Sequence, residues 1–176
     1  LGNDQKNKID LISPYAVDKY IMEKFSEMFF KTKKLSSIGL RFFNVYGPRQ
    51  NPDSLYSGVI SIFTKRMLNN KSVTIYGGKQ TRDFIHVNDV VKSIINASNL
   101  IQKQKCNFNI NILTGKSISI NKLFNLLNKK INYKKKPIIK KMKLGDPVQS
   151  SGSTYRMTKI IKIKQQKLIS INKGLN

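Results

Sequence analysis

Apolar residues recur at Val17, Ile21, Phe25 and Met28, a three-and-four spacing that lines them along one side of a helix. A second stripe of the same segment carries Tyr15, Lys19, Met22 and Ser26. Ser13 suits the N-cap and Pro14 the first helical position, so a helix is predicted through "YAVDKYIMEKFSEMFFKTK". The near-continuous apolar run "LSSIGLRFFNVYG" predicts a strand buried on both faces and ending in a turn. "GPRQNPDSLYSG" is a loop by its Gly, Pro and Asn content, and "VISIFTKRMLNN" is helical. "SVTIYGG" and "TRDFIHV" predict two short strands around a glycine turn.

Asn88 is positioned to cap a helix over "DVVKSIINASNLI". "NFNINIL" predicts a strand that Thr114-Gly115 ends, and "SISINKLFNLLNKKI" an amphipathic helix introduced by Ser and Asn. The tail from "KKKPIIKKMK" onward is basic and irregular, with a short helix near Met157; residues 1–12 are polar and loop-like. No repeat is present. Strands alternate with helices, which makes the fold class α/β.

Lysine and arginine number 33 against 9 acidic residues, a net charge of +24. Such an excess suggests nucleic acid or an anionic membrane. Here the lysines are spread through every segment, as in a lysine-rich compositional background, and form no single arginine-rich stripe. The aromatics fall mostly on apolar stripes and do not interleave with basic residues, so nucleic acid is not the expected partner. Cys106 is the only cysteine, which excludes an intrachain disulfide and a cysteine-based zinc cluster. No apolar run approaches a membrane span and no leader pattern appears, so a cytoplasmic protein is expected. The first residue is leucine, which fits a truncated or processed chain.

Tyr15 and Lys19 are one helical turn apart and share a face. An ordinary phenol titrates near 10, and a nearby ammonium favours its ionised form. The pair can therefore serve as a general base for a hydroxyl proton. Spacing alone is weak evidence, because Tyr and Lys meet this way by chance in many helices.

Five blocks in one order carry more: "SPYAVDKYIMEKF", "GLRFFNVYGPRQNPDSLYSGVISIF", "VTIYGGKQTRDFIHVNDVV", "NINILTGKSISINKL" and "KLGDP". Together they resemble the carboxyl-terminal half of an extended short-chain dehydrogenase/reductase, of the UDP-hexose 4-epimerase type. The resemblance implies a partial Rossmann-like fold. Residues 1–50 would be the remnant of the NAD-binding domain. Residues 51–176 would be mainly the nucleotide-sugar-binding domain, with one strand (about 107–113) returning to the Rossmann sheet.

It also implies that NAD is the cofactor, a UDP-sugar the substrate and a homodimer the full-length assembly. The glycine-rich pyrophosphate turn and a catalytic Ser or Thr are expected upstream of this chain; Gly77-Gly78, between two strands, is the wrong context for that turn. On that basis the chain is expected to be inactive alone.

Residue by residue, the resemblance makes Tyr15 and Lys19 the catalytic pair, with Lys19 also on the nicotinamide ribose. Phe42 would lie near the nicotinamide amide and Asn44 near the diphosphate. Val59 would face the uracil through its backbone, and Tyr76 would lie beside the base. Arg82 would fork onto phosphate oxygens; its alternative is a pair with Asp83. Asp146 would bind a ribose hydroxyl, its alternative being a turn aspartate. Ser150 would line the hexose pocket and leave room for an N-acetyl group. His86, the sole histidine, is read as structural. Lys143 stands where the family often has arginine, which puts a second phosphate contact in doubt. A 4,6-dehydratase on the same scaffold is the nearest alternative function. A basic nucleic-acid-binding module and a non-functional remnant are alternatives of other kinds.

Overall fold

Helix α1 (Pro14–Lys33) begins as its cap residue dictates: Ser13 Oγ accepts the Ala16 N–H at 3.2 Å and Pro14 follows at the first helical position. This is a computed structural model, and it describes residues 11, 13–54, 57–142 and 144–176. Most of the expected N-terminal loop and Lys143 lie outside the described residues. Lys34 ends α1 in the left-handed conformation, φ 55°, and its N–H reaches the carbonyls of Phe29 and Phe30.

The predicted strand over "LSSIGLRFFNVYG" is two strands in two sheets. β1 (Ser37–Phe42) pairs in parallel with β5 (Asn107–Ile112), and β2 (Asn44–Tyr46) pairs in parallel with β4 (Thr81–His86). Phe43 is the pivot, still donating to the Ile112 carbonyl at 3.1 Å before the chain changes sheets. Because β1 has a pairing neighbour on one side only among the described strands, it is half-buried, not enclosed on both faces.

β3 (Thr74–Tyr76) and β4 flank the expected glycine turn, with Gly77 and Gly78 at φ 76° and 98°. The strands nevertheless pair elsewhere. β4 joins β6 (Ser117–Ser119) antiparallel, and β3 joins β7 (Ile138–Lys140) in parallel. β7 corrects the irregular tail: Ile138 N–H and Gly77 N–H both bond across to the partner segment at 2.8 Å.

Helix α3 (Val87–Lys103) starts two residues earlier than expected. His86, not Asn88, caps it, Nδ1 accepting the Asn88 N–H at 3.2 Å. Ser117–Ser119 is a strand before helix α4 (Ile120–Ile131), which Ser119 caps. Helix α2 (Val59–Leu68) and the short helices α5 (Tyr155–Lys159) and α6 (Ile171–Gly174) complete the fold; α5 contains Met157, as predicted. No helix among the described residues is long and apolar enough to cross a membrane.

Two buried clusters flank β4, because alternate strand residues face opposite sides. Phe84 joins Phe63, Met67, Ile75, Leu123, Phe124 and Leu127 between α2 and α4. Ile85 joins Ile110, Ile112, Val90, Ala97 and Met157 on the other side. Each fully buried aliphatic or aromatic side chain there contributes about 1.5–3 kcal/mol. Cys106 is a buried free thiol, its pKa raised by that burial.

Helix α1 inverts the expected amphipathic logic. Its sheet-facing contacts are polar: Glu23 accepts from Arg41 Nε at 2.7 Å, Arg41 Nη2 at 2.6 Å and Asn109 Nδ2 at 3.0 Å, while Ser26 bonds with Ser37 and Asn107. The stripe of Val17, Ile21, Phe25 and Met28 is exposed.

Tyr46 is buried between α6 and β4, edge-on to Phe84 and His86, and its hydroxyl has no hydrogen-bond partner among the described residues. Burial, and secondarily the Asp89 charge, push its pKa up to about 12. The unfolded phenol ionises near 10, so Tyr46 weakens folding as pH climbs from 10 through 12. Tyr46→Phe should therefore be neutral or stabilising by up to about 1 kcal/mol at pH 7, since no bond is lost. It should also be more stable than wild type by a wider margin at pH 11. Urea midpoints at the two pH values read this; an equal or narrower margin at pH 11 refutes it.

Candidate active site

The geometry that brings a tyrosine of α1 to a sheet end follows from the polar staples under the helix. Ser26 lies against Ser37, at the start of β1, and Glu23 against Arg41, near its end. The helix therefore runs antiparallel to the strand. From Ser26 back to Tyr15 is about 16 Å of helix, and from Ser37 on to Phe42 about 16 Å of strand. Tyr15 thus reaches the carboxyl end of β1, level with Phe42.

There Tyr15 is 69% and Phe42 45% exposed. Lys19 Nζ sits 5.4 Å from the centre of the Tyr15 ring, within cation–π range. Among the described residues its side-chain hydrogen bond is a long one, 3.9 Å to Met22 Sδ. The predicted pair is therefore convergent and open to solvent, at the carboxyl end of two parallel strands, where open α/β sheets bind ligands.

Two residues beyond Phe42 the chain enters β2. Asn44 and Val59 line one cavity of about 180 Å³ with Tyr46, Gln50, Gly58 and Phe84. Asn44 Nδ2 donates to the Asp83 carbonyl at 3.1 Å, which fixes the side chain on the β4 backbone. Gln50 was not singled out in the sequence. Its Nε2 bonds the Val45 carbonyl at 3.4 Å, and Gly58 lies so close that an added Cβ would sit 3.2 Å from it. The only sequence signal for Gln50 is its place in the loop after "GPR".

Arg82 does not pair with Asp83. Neighbouring strand residues point to opposite faces, and Asp83 is turned inward with 0% exposure. It accepts there from Thr114 N–H at 2.8 Å, Thr114 Oγ1 at 2.8 Å and Lys116 N–H at 3.1 Å. Arg82 faces outward and pairs with Asp146 through Nη2, while Nη1 donates to the Thr81 carbonyl at 2.8 Å and the Pro147 carbonyl at 2.7 Å.

Ser150 is brought to the same place by its backbone: its N–H donates to Thr81 O at 3.1 Å, and its carbonyl accepts from Ser117 Oγ at 2.7 Å. Tyr76 stands apart at the end of β3. Its carbonyl accepts from Gln80 Nε2 at 2.5 Å, and the residue is 37% exposed. His86 is buried as a helix cap, a structural role.

The chain matches the family model "NAD dependent epimerase/dehydratase family" over residues 2–112. A putative UDP-glucose 4-epimerase of Methanocaldococcus jannaschii is 38% identical over 144 residues, covering 81% of this chain and 45% of that protein. The crystal structure of a UDP-glucose 4-epimerase with UDP-glucose from Thermotoga maritima superposes with a TM-score of 0.85 at 33% identity, covering 98% of this chain and 57% of that one. A UDP-N-acetylglucosamine 4-epimerase from Methanobrevibacter ruminantium, in complex with UDP-N-acetylmuramic acid, gives 0.84 at 30% identity, covering 98% and 55%. The chain therefore spans about half the length of the relatives it matches. On the family match, the shared fold and the tyrosine–lysine pair at its sheet end, this chain belongs to the NAD dependent epimerase/dehydratase family.

Proposed function

We propose that the protein carrying this chain is an NAD-dependent 4-epimerase of UDP-hexoses or UDP-N-acetylhexosamines, with Tyr15 as its proton carrier. The observation that carries the reading is the ammonium of Lys19 over the ring of Tyr15, in a chain similar to UDP-sugar 4-epimerases. The surface also suits a dinucleotide. The exposed Phe42 ring and the Tyr15–Lys19 pair share the carboxyl end of β1, and these residues would hold NAD. NAD, when bound, supplies a temporary acceptor for the hydride of the sugar's C4.

Tyr15 Oη takes the proton of the 4-hydroxyl as the C4 hydride departs, which leaves a ketone at C4. Lys19 holds its ammonium over the Tyr15 ring, one turn away, and would orient the nicotinamide ribose. After the keto-hexose has turned over, the hydride would return to C4 on its other face while Tyr15 gives the proton back to the oxygen, and the configuration at C4 is inverted. Arg82 and Asp146 meet the diphosphate and ribose, Asn44 and Val59 line the cavity beside them, and Tyr76 lies towards the base. Ser150 is small enough to admit an N-acetyl group.

The test is product analysis of the protein that carries this chain, incubated with NAD and UDP-glucose or UDP-N-acetylglucosamine. The expected product is the C4 epimer, with no change in mass. Loss of water to a 4-keto-6-deoxy sugar would make it a dehydratase, and no conversion of either sugar would reject the reading.

A further inference from the structure

We propose that Arg82 is a clasp: it fastens the strap Leu144–Ser150 onto β4, and so positions Asp146 and Ser150 in addition to meeting phosphate. The inference rests on the UDP-sugar reading for its ligand, but the clasp itself is made of the chain's own contacts.

The first argument is the disposition of donors. A guanidinium has five N–H groups. Three of Arg82's are committed inside the chain: two from Nη1, to the Thr81 and Pro147 carbonyls, and one from Nη2, to Asp146 Oδ1. Its side chain is only 11% exposed. The Nε–H and one Nη2 hydrogen have no acceptor among the described residues and could meet an anion. A group serving only as a phosphate ligand would need none of the three internal bonds.

The second argument is that the strap has little else to hold it. Leu144 is fully exposed and Val148 is 69% exposed. A Cβ built on Gly145 would touch nothing within 4 Å. With so little apolar surface buried, polar contacts must supply the anchoring.

Besides Arg82, those contacts are the Ser117 Oγ bond to the Ser150 carbonyl at 2.7 Å and a one-residue parallel bridge, Thr81 with Gln149. Thr81 N–H donates to Val148 O at 3.0 Å, and Ser150 N–H to Thr81 O at 3.1 Å. The bridge lies on the edge of β4 that β2 occupies further along, so the strap extends that edge. A single bridge is marginal, and a charge-assisted bond is roughly twice as strong as a neutral one. Asp146 is also the only acidic residue of the sequence from position 90 onward, against 19 basic ones. The strap thus has one carboxylate by which to be tied, and Arg82 takes it.

The consequence separates clasp from ligand. If Arg82 only meets phosphate, its loss weakens phosphorylated ligands and leaves the strap alone. If it is a clasp, its loss frees the strap, and a nucleoside without phosphate is weakened too.

The experiment is hydrogen–deuterium exchange of the Val148–Ser150 region in the unliganded protein, with NMR titrations of uridine and UDP. Wild type, R82K, R82A, D146N and the R82A/D146N double variant are compared. Thermal melts check folding, and R82K and D146N are the gentle changes. Exchange at Ser150 is expected to rise about tenfold in each single variant, R82K included because lysine lacks the planar fork. The double variant should add little. Uridine affinity should fall severalfold in every variant.

Unchanged exchange in R82A and D146N, or uridine affinity that survives R82A while UDP affinity falls, overturns the clasp. If wild type binds neither uridine nor UDP, the UDP-sugar reading fails, and the exchange data still decide the clasp.

Discussion

Replacing Tyr15 with phenylalanine is expected to lower turnover of a UDP-sugar by about a thousandfold, the middle of the range for removing a positioned acid–base group. The substitution deletes one oxygen. The ring stays, so the Lys19 contact over its face persists. Tyr15 is mostly exposed, so stability should be unchanged within about 0.5 kcal/mol. Arg82, Asp146 and Asn44 hold to other elements and are untouched. The loss should therefore fall on kcat, with KM nearly constant, because in the proposed reaction the missing group acts on the proton in flight and not on ground-state binding. Steady-state kinetics of Tyr15→Phe beside wild type measures this. A kcat within tenfold of wild type would remove Tyr15 from the chemistry.

The second large effect is on folding. Asp83→Ala should destabilise the protein by about 3 kcal/mol or more, seen as a lower urea midpoint at constant slope. The carboxylate is buried and accepts three hydrogen bonds, from Thr114 N–H, Thr114 Oγ1 and Lys116 N–H. Alanine removes the charged acceptor shared by the half-buried Thr114 N–H and hydroxyl and by Lys116 N–H, which keeps only Thr114 Oγ1 at 3.1 Å, and a hydrogen bond to a charged group is worth about 1.5–3 kcal/mol. Asp83→Asn should lie between, because one oxygen can still accept while the new NH2 confronts a donor. A loss under about 1 kcal/mol for Asp83→Ala would mean that the turn after β5 is held by something else.

The effect bears on the site through strand geometry. Asp83 pointing in is what sends Arg82 out towards the strap, and the Asp83 carbonyl receives Asn44. A protein weakened here should lose ligand affinity with its fold, unlike Tyr15→Phe, which leaves both.

Much of the local structure was legible along the chain. Ser13-Pro14 marked the start of α1, the apolar spacing marked α2 and α4, and the five ordered blocks marked the family. These signals work within a turn or two, where caps and periodicity act on neighbouring residues. Three features were not legible. The run through Phe43 gave no sign of dividing between sheets, because both pieces are equally apolar. β7 was hidden in a lysine-rich segment, since three residues suffice when β3 offers a ready edge. The spacing of Val17, Ile21, Phe25 and Met28 gave no sign that this stripe stays exposed, which follows from α1 being stapled through Glu23 and Ser26.

The sequence by itself determined the α/β class, the helix that carries Tyr15 and Lys19 on one face, and the family. Only the tertiary structure decided what Arg82 touches. Asp83 was the nearer carboxylate in sequence, but strand alternation turns it into the core, and the partner comes from 64 residues away. Long-range pairing of this kind is selected by the satisfaction of buried donors and the burial of apolar area across the whole chain, and no short window of residues contains that information.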